Sequence, residues 1–194
     1  MNAQVRKPLL QVIVASSRPG RVGRPVGEWF AQVAREHGGF DVEVVDLAEV
    51  GLPFFDEPNH PRLGQYVHQH TRDWSATVSR ADAFVLVTPE YNYGYNAVLK
   101  NALDFLHTEW QHKPVAFVSY GGVAAGTRAV QQLKQVVTAL RMVPVGASVN
   151  IPFVHQFLDD EQRLRPNEAM SGAAKLVLDE LLPMARALES LRTE

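Results

Sequence analysis

The chain has 194 residues, of which 46% are hydrophobic and none is cysteine, so it is long enough to form the core of one domain. A formal net charge of −2 argues against a nucleic-acid-binding protein, which usually carries a basic face, and gives no reason to expect binding to anionic membranes. The absence of cysteine excludes disulfides, thiolate catalysis, iron–sulfur clusters and cysteine-based zinc sites. We expect a single domain over residues 1–194.

Short apolar runs alternate with helical patterns along the chain. They predict strands at 9–15, 40–46, 83–88, 115–119 and 143–149, with a helix after each, the last of which runs from about 167 to 192. Five such units with nearly continuous apolar central strands predict a parallel sheet with helices on both sides. No run reaches transmembrane length, so we expect a soluble, cytoplasmic protein that does not bind membranes.

The first loop of interest is SSRPGRVGR, at residues 16–24. It joins a buried strand to a helix start, where free N–H groups and the helix dipole favour an anion, and ligands of such sheets bind beyond the carboxyl ends of the strands. Ser16 and Ser17 add hydroxyls, and Arg18 and Arg24 add charged donors that suit a phosphate monoester. The loop matches neither GxxxxGK[ST] nor GxGxxG. A plain turn with solvated arginines is the alternative.

The second loop is PEYNYGYN, at residues 89–96 after the third strand. Tyr91, Tyr93 and Tyr95 fall within five positions, which favours a surface on which a flat heteroaromatic ligand lies. A tyrosine-rich surface or dimer contact is the alternative, and both interpretations are compatible.

The third loop is SYGGVAAG, at residues 119–126 after the fourth strand. Its glycines let the backbone approach a ligand closely, although a turn that needs positive φ would use them too. A helix begins near Gly126 and again directs its positive end to this edge. Together the three loops predict a cavity for a phosphate at one end and a planar ring at the other, which is the shape of flavin mononucleotide (FMN).

These three loops, with DLAEVGLPFFDEP at residues 46–58, resemble the NADPH-dependent FMN reductase family over about residues 9–155. That family is a branch of the flavodoxin-like superfamily and includes quinone, azo-compound and chromate reductases. The resemblance implies a flavodoxin-like three-layer αβα sandwich, with a five-stranded parallel sheet in the order 2-1-3-4-5.

The resemblance also assigns cofactor-binding residues in three groups. On the phosphate side are Ser16, Arg18, Val22, Gly23 and Arg24. At the edge of the isoalloxazine ring are Pro89, Glu90, Tyr91, Asn92 and Tyr93. On the other flank of the ring are Ser119, Tyr120, Gly121, Gly122 and Gly126.

The implied activity is an FMN-dependent NAD(P)H oxidoreductase in which hydride passes from NADPH or NADH through flavin N5 to a small acceptor, by a ping-pong cycle. Quinones, free flavins, azo compounds and metal oxyanions are candidate acceptors, and family members are usually homodimers or homotetramers. A flavodoxin-type electron carrier and a flavin-binding redox sensor are the alternatives.

We expect no catalytic side chain, because the flavin carries the chemistry. Glu90 is interpreted as a structural carboxylate that holds its loop. We expect no metal site, and His68 and His70, two positions apart on a predicted helix, should face different directions. Many relatives have proline where this chain has Asn96, so the start of that helix should be looser here.

Overall fold

One parallel sheet organises the molecule. The structure, a computed structural model, describes residues 6–192. The strands are β1 (Leu9–Val14), β2 (Asp41–Asp46), β3 (Ala83–Pro89), β4 (Pro114–Tyr120) and β5 (Val143–Ile151). All neighbouring strands run parallel, in the order β2-β1-β3-β4-β5. This confirms the predicted flavodoxin-like order, which places the carboxyl ends of all five strands at one edge.

Helices cover both faces of the sheet. They are α1 (Gly23–His37), α2 (Leu47–Val50), α3 (Gln69–Ser79), α4 (Ala97–Asp104), α5 (Thr127–Ala139) and α6 (Glu168–Ala187). Side chains of α1 and α6 pack on one face, and those of α3, α4 and α5 pack on the other. No helix within residues 6–192 is long and apolar enough to cross a membrane.

The two central strands, β3 and β4, are fully buried and support the loops at the carboxyl edge. Every residue of β3 and β4 is buried, as expected for strands covered by helices on both faces. Beneath α3 and α4, Trp110 packs edge-on against Phe84, with ring centroids 5.0 Å apart. The indole N–H of Trp74 donates to the Ala102 carbonyl at 2.9 Å, so this buried polar group is satisfied.

The start of α4 differs from the expectation. Asn96 is the N-cap residue, and its Oδ1 accepts a hydrogen bond from the Leu99 N–H at 2.8 Å. A capping asparagine stabilises a helix start, because it satisfies a backbone donor that the helix leaves unpaired. The expectation of a looser helix was therefore wrong.

The two histidines near the start of α3 also differ from the expectation. His68 precedes the helix in an extended conformation, and His70 lies in its first turn. The two rings stack with centroids 5.1 Å apart and an interplanar angle of 9°. Helical spacing does not apply across a helix boundary, so the prediction that they face different directions was wrong.

Candidate functional site

A cavity of about 420 Å³ lies at the carboxyl edge of the sheet. Its volume falls within the range of small-molecule sites. Its walls come from the loops that follow β1, β3, β4 and β5, through Arg18, Arg21, Val22, Pro89, Glu90, Tyr91, Tyr120, Gly121, Gly122, Phe153, Val154, His155 and Gln156. The structure thus brings the three loops singled out in the sequence together around one space.

Arg21 lines this cavity, although the sequence did not single it out. Its guanidinium makes two hydrogen bonds of 2.6 Å to Asp46, the last residue of β2. The same guanidinium also donates to the Ser16 carbonyl. The hydrogen bond to Asp46 raises the pKa of Arg21, so this arginine stays charged while its charge is matched. Arg21 therefore ties the end of β1 to the end of β2.

Arg18 and Arg24 have opposite surroundings. Arg24 donates to Glu28 at 2.9 Å and to Glu49 at 2.5 Å, and it lies outside the cavity wall. The exposed guanidinium of Arg18 lines the cavity and makes no hydrogen bond or ion pair with any of residues 6–192. Arg18 is therefore the arginine of this loop with an unmatched charge at the cavity.

The beginning of α1 offers further donors. Val22 occupies the N-cap position, and no side chain among residues 6–192 caps the helix. The first N–H groups of a helix have no intrahelical acceptor, so those of Gly23 and Arg24 are available to an anion. Pro25 has no N–H, so it leaves no third donor unsatisfied.

Position 23 requires glycine, because two side chains lie close to its backbone. A Cβ at this position would lie 2.2 Å from Ser16 Oγ and 2.6 Å from the Tyr120 hydroxyl oxygen. These two groups are hydrogen-bonded to each other, with the Tyr120 hydroxyl donating to Ser16 Oγ at 3.1 Å. Burial raises the pKa of Tyr120, so its hydroxyl keeps its proton. The bond joins the loop after β1 to the loop after β4.

A tight turn carries the tyrosines. The N–H and carbonyl groups of Tyr91 and Gly94 bond to each other, both at 2.9 Å. Between them, Asn92 and Tyr93 have φ values of 50° and 71°, as in a type I′ turn. The turn places Tyr91 in the cavity wall and keeps Asn92 and Tyr93 outside it.

Glu90 holds this turn against α5. Its carboxylate accepts hydrogen bonds from Arg128 Nε at 2.6 Å and from the Arg128 backbone N–H at 3.2 Å. The Arg128 guanidinium lies over the Tyr93 ring, 3.7 Å from its centroid. Gln132 Nε2 adds a bond to the Tyr93 carbonyl at 3.1 Å. These contacts confirm the interpretation of Glu90 as a structural carboxylate.

The glycine-rich loop contributes backbone to the cavity. Gly121 and Gly122 line it, and the Gly121 N–H donates to the Ile151 carbonyl at 3.2 Å. The N–H groups of Gly122, Val123 and Ala124 donate to no acceptor in the described part of the chain. Backbone donors of this kind can stabilise negative charge on a ligand.

Ser119 and Gly126 support this loop from below. The Ser119 hydroxyl donates to the Ala125 carbonyl at 2.7 Å. Gly126 has a φ of 80°, and a Cβ there would lie 2.8 Å from Ser119 Cβ and 3.0 Å from the Tyr120 nitrogen. Neither Ser119 nor Gly126 is part of the cavity wall, and Ser119 Oγ also lies 2.9 Å from Asn150 Oδ1 of β5, so both residues support the loop from outside the cavity.

One side of the cavity was missed in the sequence. Residues 153–156 follow β5 and line it. Phe153 has a φ of 46° and is half exposed, and the N–H groups of Phe153 and Val154 donate to the carbonyls of Gly122 and Gly121. The sheet topology could have indicated these residues, because the loop that follows a fifth parallel strand lies at the same edge as the other loops.

Comparisons with known proteins agree with this geometry. Residues 8–156 match the family described as NADPH-dependent FMN reductase. An NAD(P)H-dependent FMN reductase of Schizosaccharomyces pombe is 41% identical over 149 residues, which cover 75% of this chain and 74% of that protein. An FMN-dependent NADPH-azoreductase of Staphylococcus saprophyticus is 27% identical over 90% of this chain and 94% of its own length. The flavoenzyme FerB of Paracoccus denitrificans, an NAD(P)H:(acceptor) oxidoreductase, superposes with a TM-score of 0.74 at 20% identity, over 93% of this chain and 98% of FerB.

Proposed function

This chain belongs to the NADPH-dependent FMN reductase family, and we propose that its cavity at the carboxyl edge binds FMN for an NAD(P)H-dependent oxidoreductase reaction. One observation carries this proposal: four loops enclose a space of about 420 Å³ that has an unmatched arginine at its wall. Family membership supplies the reaction class, and the donor set of the cavity fits the cofactor.

The phosphate of FMN would bind at the beginning of α1. Arg18 supplies a charge that no residue in 6–192 matches, and the N–H groups of Gly23 and Arg24 supply neutral donors. The Ser16 hydroxyl is buried beside Gly23, outside the cavity wall. The Arg24 side chain would reach a phosphate only by leaving Glu28 and Glu49, so we assign it a minor role.

The ring would lie between the tyrosine turn and the glycine-rich loop. Pro89, Glu90 and Tyr91 form one wall, and Gly121 and Gly122 form the other. Asn92 and Tyr93 would act by shaping the turn, and Ser119 and Gly126 by supporting the loop, since all four lie outside the wall. Tyr120 links the ring side to the phosphate side through its bond to Ser16.

When bound, FMN would supply the redox chemistry of a ping-pong cycle between NADPH or NADH and a small acceptor such as a quinone, a free flavin, an azo compound or a metal oxyanion. The N–H groups of Gly122, Val123 and Ala124, which have no acceptor among the described residues, would donate to the negative charge that develops on the ring. No side chain of the cavity needs to act as a general acid or base in this scheme.

We also propose that the protein is a cytoplasmic homodimer or homotetramer in which residues 1–194 form a single domain. Exposed apolar side chains support an assembly, because Phe54 is 89% exposed and Leu63 and Val67 are also exposed. Light scattering coupled to size-exclusion chromatography measures the assembly state directly.

The test of the proposed function begins with the visible spectrum of the purified protein after addition of FMN. We expect a bound flavin, its rapid bleaching by NADPH or NADH, and reoxidation by several small acceptors. A flavodoxin-type carrier would bind FMN but show almost no NAD(P)H oxidation with a quinone, and rapid bleaching by NADPH or NADH would also count against a redox sensor. Protein that binds no FMN would overturn the proposal.

A further inference from the structure

Arg128 occupies a position from which it acts on the cavity through other residues. It lies in the first turn of α5 and is not part of the cavity wall. Its backbone N–H and Nε both donate to Glu90, which does line the cavity. Its guanidinium also lies over the Tyr93 ring. One side chain therefore contacts the residues on both sides of Tyr91.

The first consequence concerns geometry. The turn holds Asn92 and Tyr93 at positive φ, a conformation that costs free energy in residues other than glycine and persists only when the surroundings enforce it. The bond from Arg128 to Glu90 and its stacking on Tyr93 fix the two ends of the segment that presents Tyr91. Arg128 thereby contributes to that enforcement, together with the bond from Gln132 to the Tyr93 carbonyl.

The second consequence concerns charge. The Glu90 side chain is only 8% exposed, so its carboxylate is poorly screened by water. Bonded to Arg128, it forms a pair with little net charge. Without Arg128, it would place an uncompensated negative charge at the wall against which we expect the ring to lie. A reduced flavin carries more negative charge than an oxidised one, so this carboxylate would disfavour the reduced form.

We propose that Arg128 is a positioning residue for the flavin ring: it fixes the turn that carries Tyr91 and cancels the charge of Glu90 beside the ring. This inference rests on the proposed function, because it assumes that FMN occupies the cavity. It assigns the effect to the Glu90–Arg128 pair and not to the net charge of the protein.

The experiment compares Arg128→Met, Glu90→Gln and the double variant with the wild type. Arg35→Met is the matched control. Arg35 is exposed on α1, so this substitution removes the same charge far from the turn. We expect Arg128→Met to weaken binding of reduced FMN relative to oxidised FMN about tenfold, which lowers the midpoint potential by about 30 mV for two electrons. The double variant should recover the wild-type potential, and Arg35→Met should keep it.

Hydrogen exchange of the apoprotein measures the geometric part. The amides of Tyr91 and Gly94 bond across the turn, so their exchange should become at least about tenfold faster in Arg128→Met and in the double variant. Amides of β3 should exchange as in the wild type. The double variant thus separates the two effects, with the potential recovered and the turn still loosened.

Three outcomes overturn the inference: an unchanged potential in Arg128→Met, a lowered potential that Glu90→Gln does not restore, or unchanged exchange of the Tyr91 and Gly94 amides. A wild-type protein that binds no FMN would refute the proposed function and, with it, any role toward the ring. The exchange measurement would then still decide whether Arg128 fixes the turn.

Discussion

The two edges of the sheet each hold a charged side chain, Asp82 and Arg18, and these two differ in whether the fold provides a partner. At the amino edge, the Asp82 carboxylate accepts bonds from the Leu9 N–H and from the guanidinium groups of Arg6 and Arg192, at 2.7 to 3.0 Å. At the carboxyl edge, the Arg18 guanidinium has no partner among residues 6–192. The charge of Asp82 is therefore neutralised by contacts within the fold, whereas the charge of Arg18 remains available to a ligand.

Lys113 is a second charged residue at the amino edge that the fold itself binds. This buried lysine lies just before β4, and its Nζ donates to the carbonyls of Val78 and Ser79 at 2.9 and 3.1 Å. It thereby adds a donor at the end of α3, where the Val78 carbonyl also accepts from the Ala81 N–H at 3.2 Å. Burial lowers the pKa of Lys113 to about 8, so this arrangement carries a cost in stability that depends on pH.

The largest expected effect is a dependence of the unfolding free energy on pH that is caused by Lys113. Unfolded Lys113 keeps its proton up to about pH 10.5, whereas the folded protein releases it near pH 8. Between these values the unfolded state binds more protons, so this lysine makes stability rise with pH, by up to about 3 kcal/mol. Chemical unfolding of the wild type and Lys113→Met between pH 7 and 10.5 isolates this contribution. A stability difference between the two proteins that does not vary with pH would contradict the claim that folding makes buried Lys113 release its proton near pH 8.

The next effect is at the carboxyl edge, where Gly23→Ala should weaken FMN binding about hundredfold. The added Cβ must displace Ser16 and Tyr120, whose bond joins two loops of the site. Gly172→Ala is the matched control, because a Cβ at Gly172 in α6 meets nothing within 4 Å. Fluorescence titration with FMN measures both variants. Wild-type affinity in Gly23→Ala would show that this contact does not shape the site.

A smaller effect should follow from Asp82→Asn. The change weakens the bonds to Arg6 and Arg192 at a carboxylate that is only 7% exposed, and we expect a loss of about 2 kcal/mol in unfolding free energy. FMN affinity should be unchanged, since Asp82 lies at the opposite edge from the cavity. Denaturant unfolding and FMN titration of the same preparation test both statements. A coupled loss of affinity would mean that the two edges are not independent.

The fold was largely readable from the sequence, because its strands are long apolar runs at regular spacing. The five strands lie within one or two residues of their predicted ends, and the sheet order follows the family resemblance. The short helix α2 was not predicted, since four residues give no periodicity.

The site was less readable, because the sequence does not show which charges find partners. Glu28, four positions after Arg24 in the predicted helix, was a local signal of a partner for Arg24, but only the fold shows that Glu49, 25 positions away, binds it too. Arg21 was missed for the same reason, since its partner Asp46 ends a different strand. The loop at 153–156 contains neither glycine nor an arginine or lysine, so nothing local marks it as a cavity wall.

The most direct test of the central claim compares FMN with riboflavin, which lacks the phosphate, in the wild type, Arg18→Met and Arg24→Met. We predict that the wild type prefers FMN by about hundredfold or more, that Arg18→Met reduces this preference about tenfold, and that Arg24→Met changes it less than about twofold. Equal affinity of the wild-type protein for the two flavins would contradict the claim that the unmatched charge at the carboxyl edge binds the phosphate.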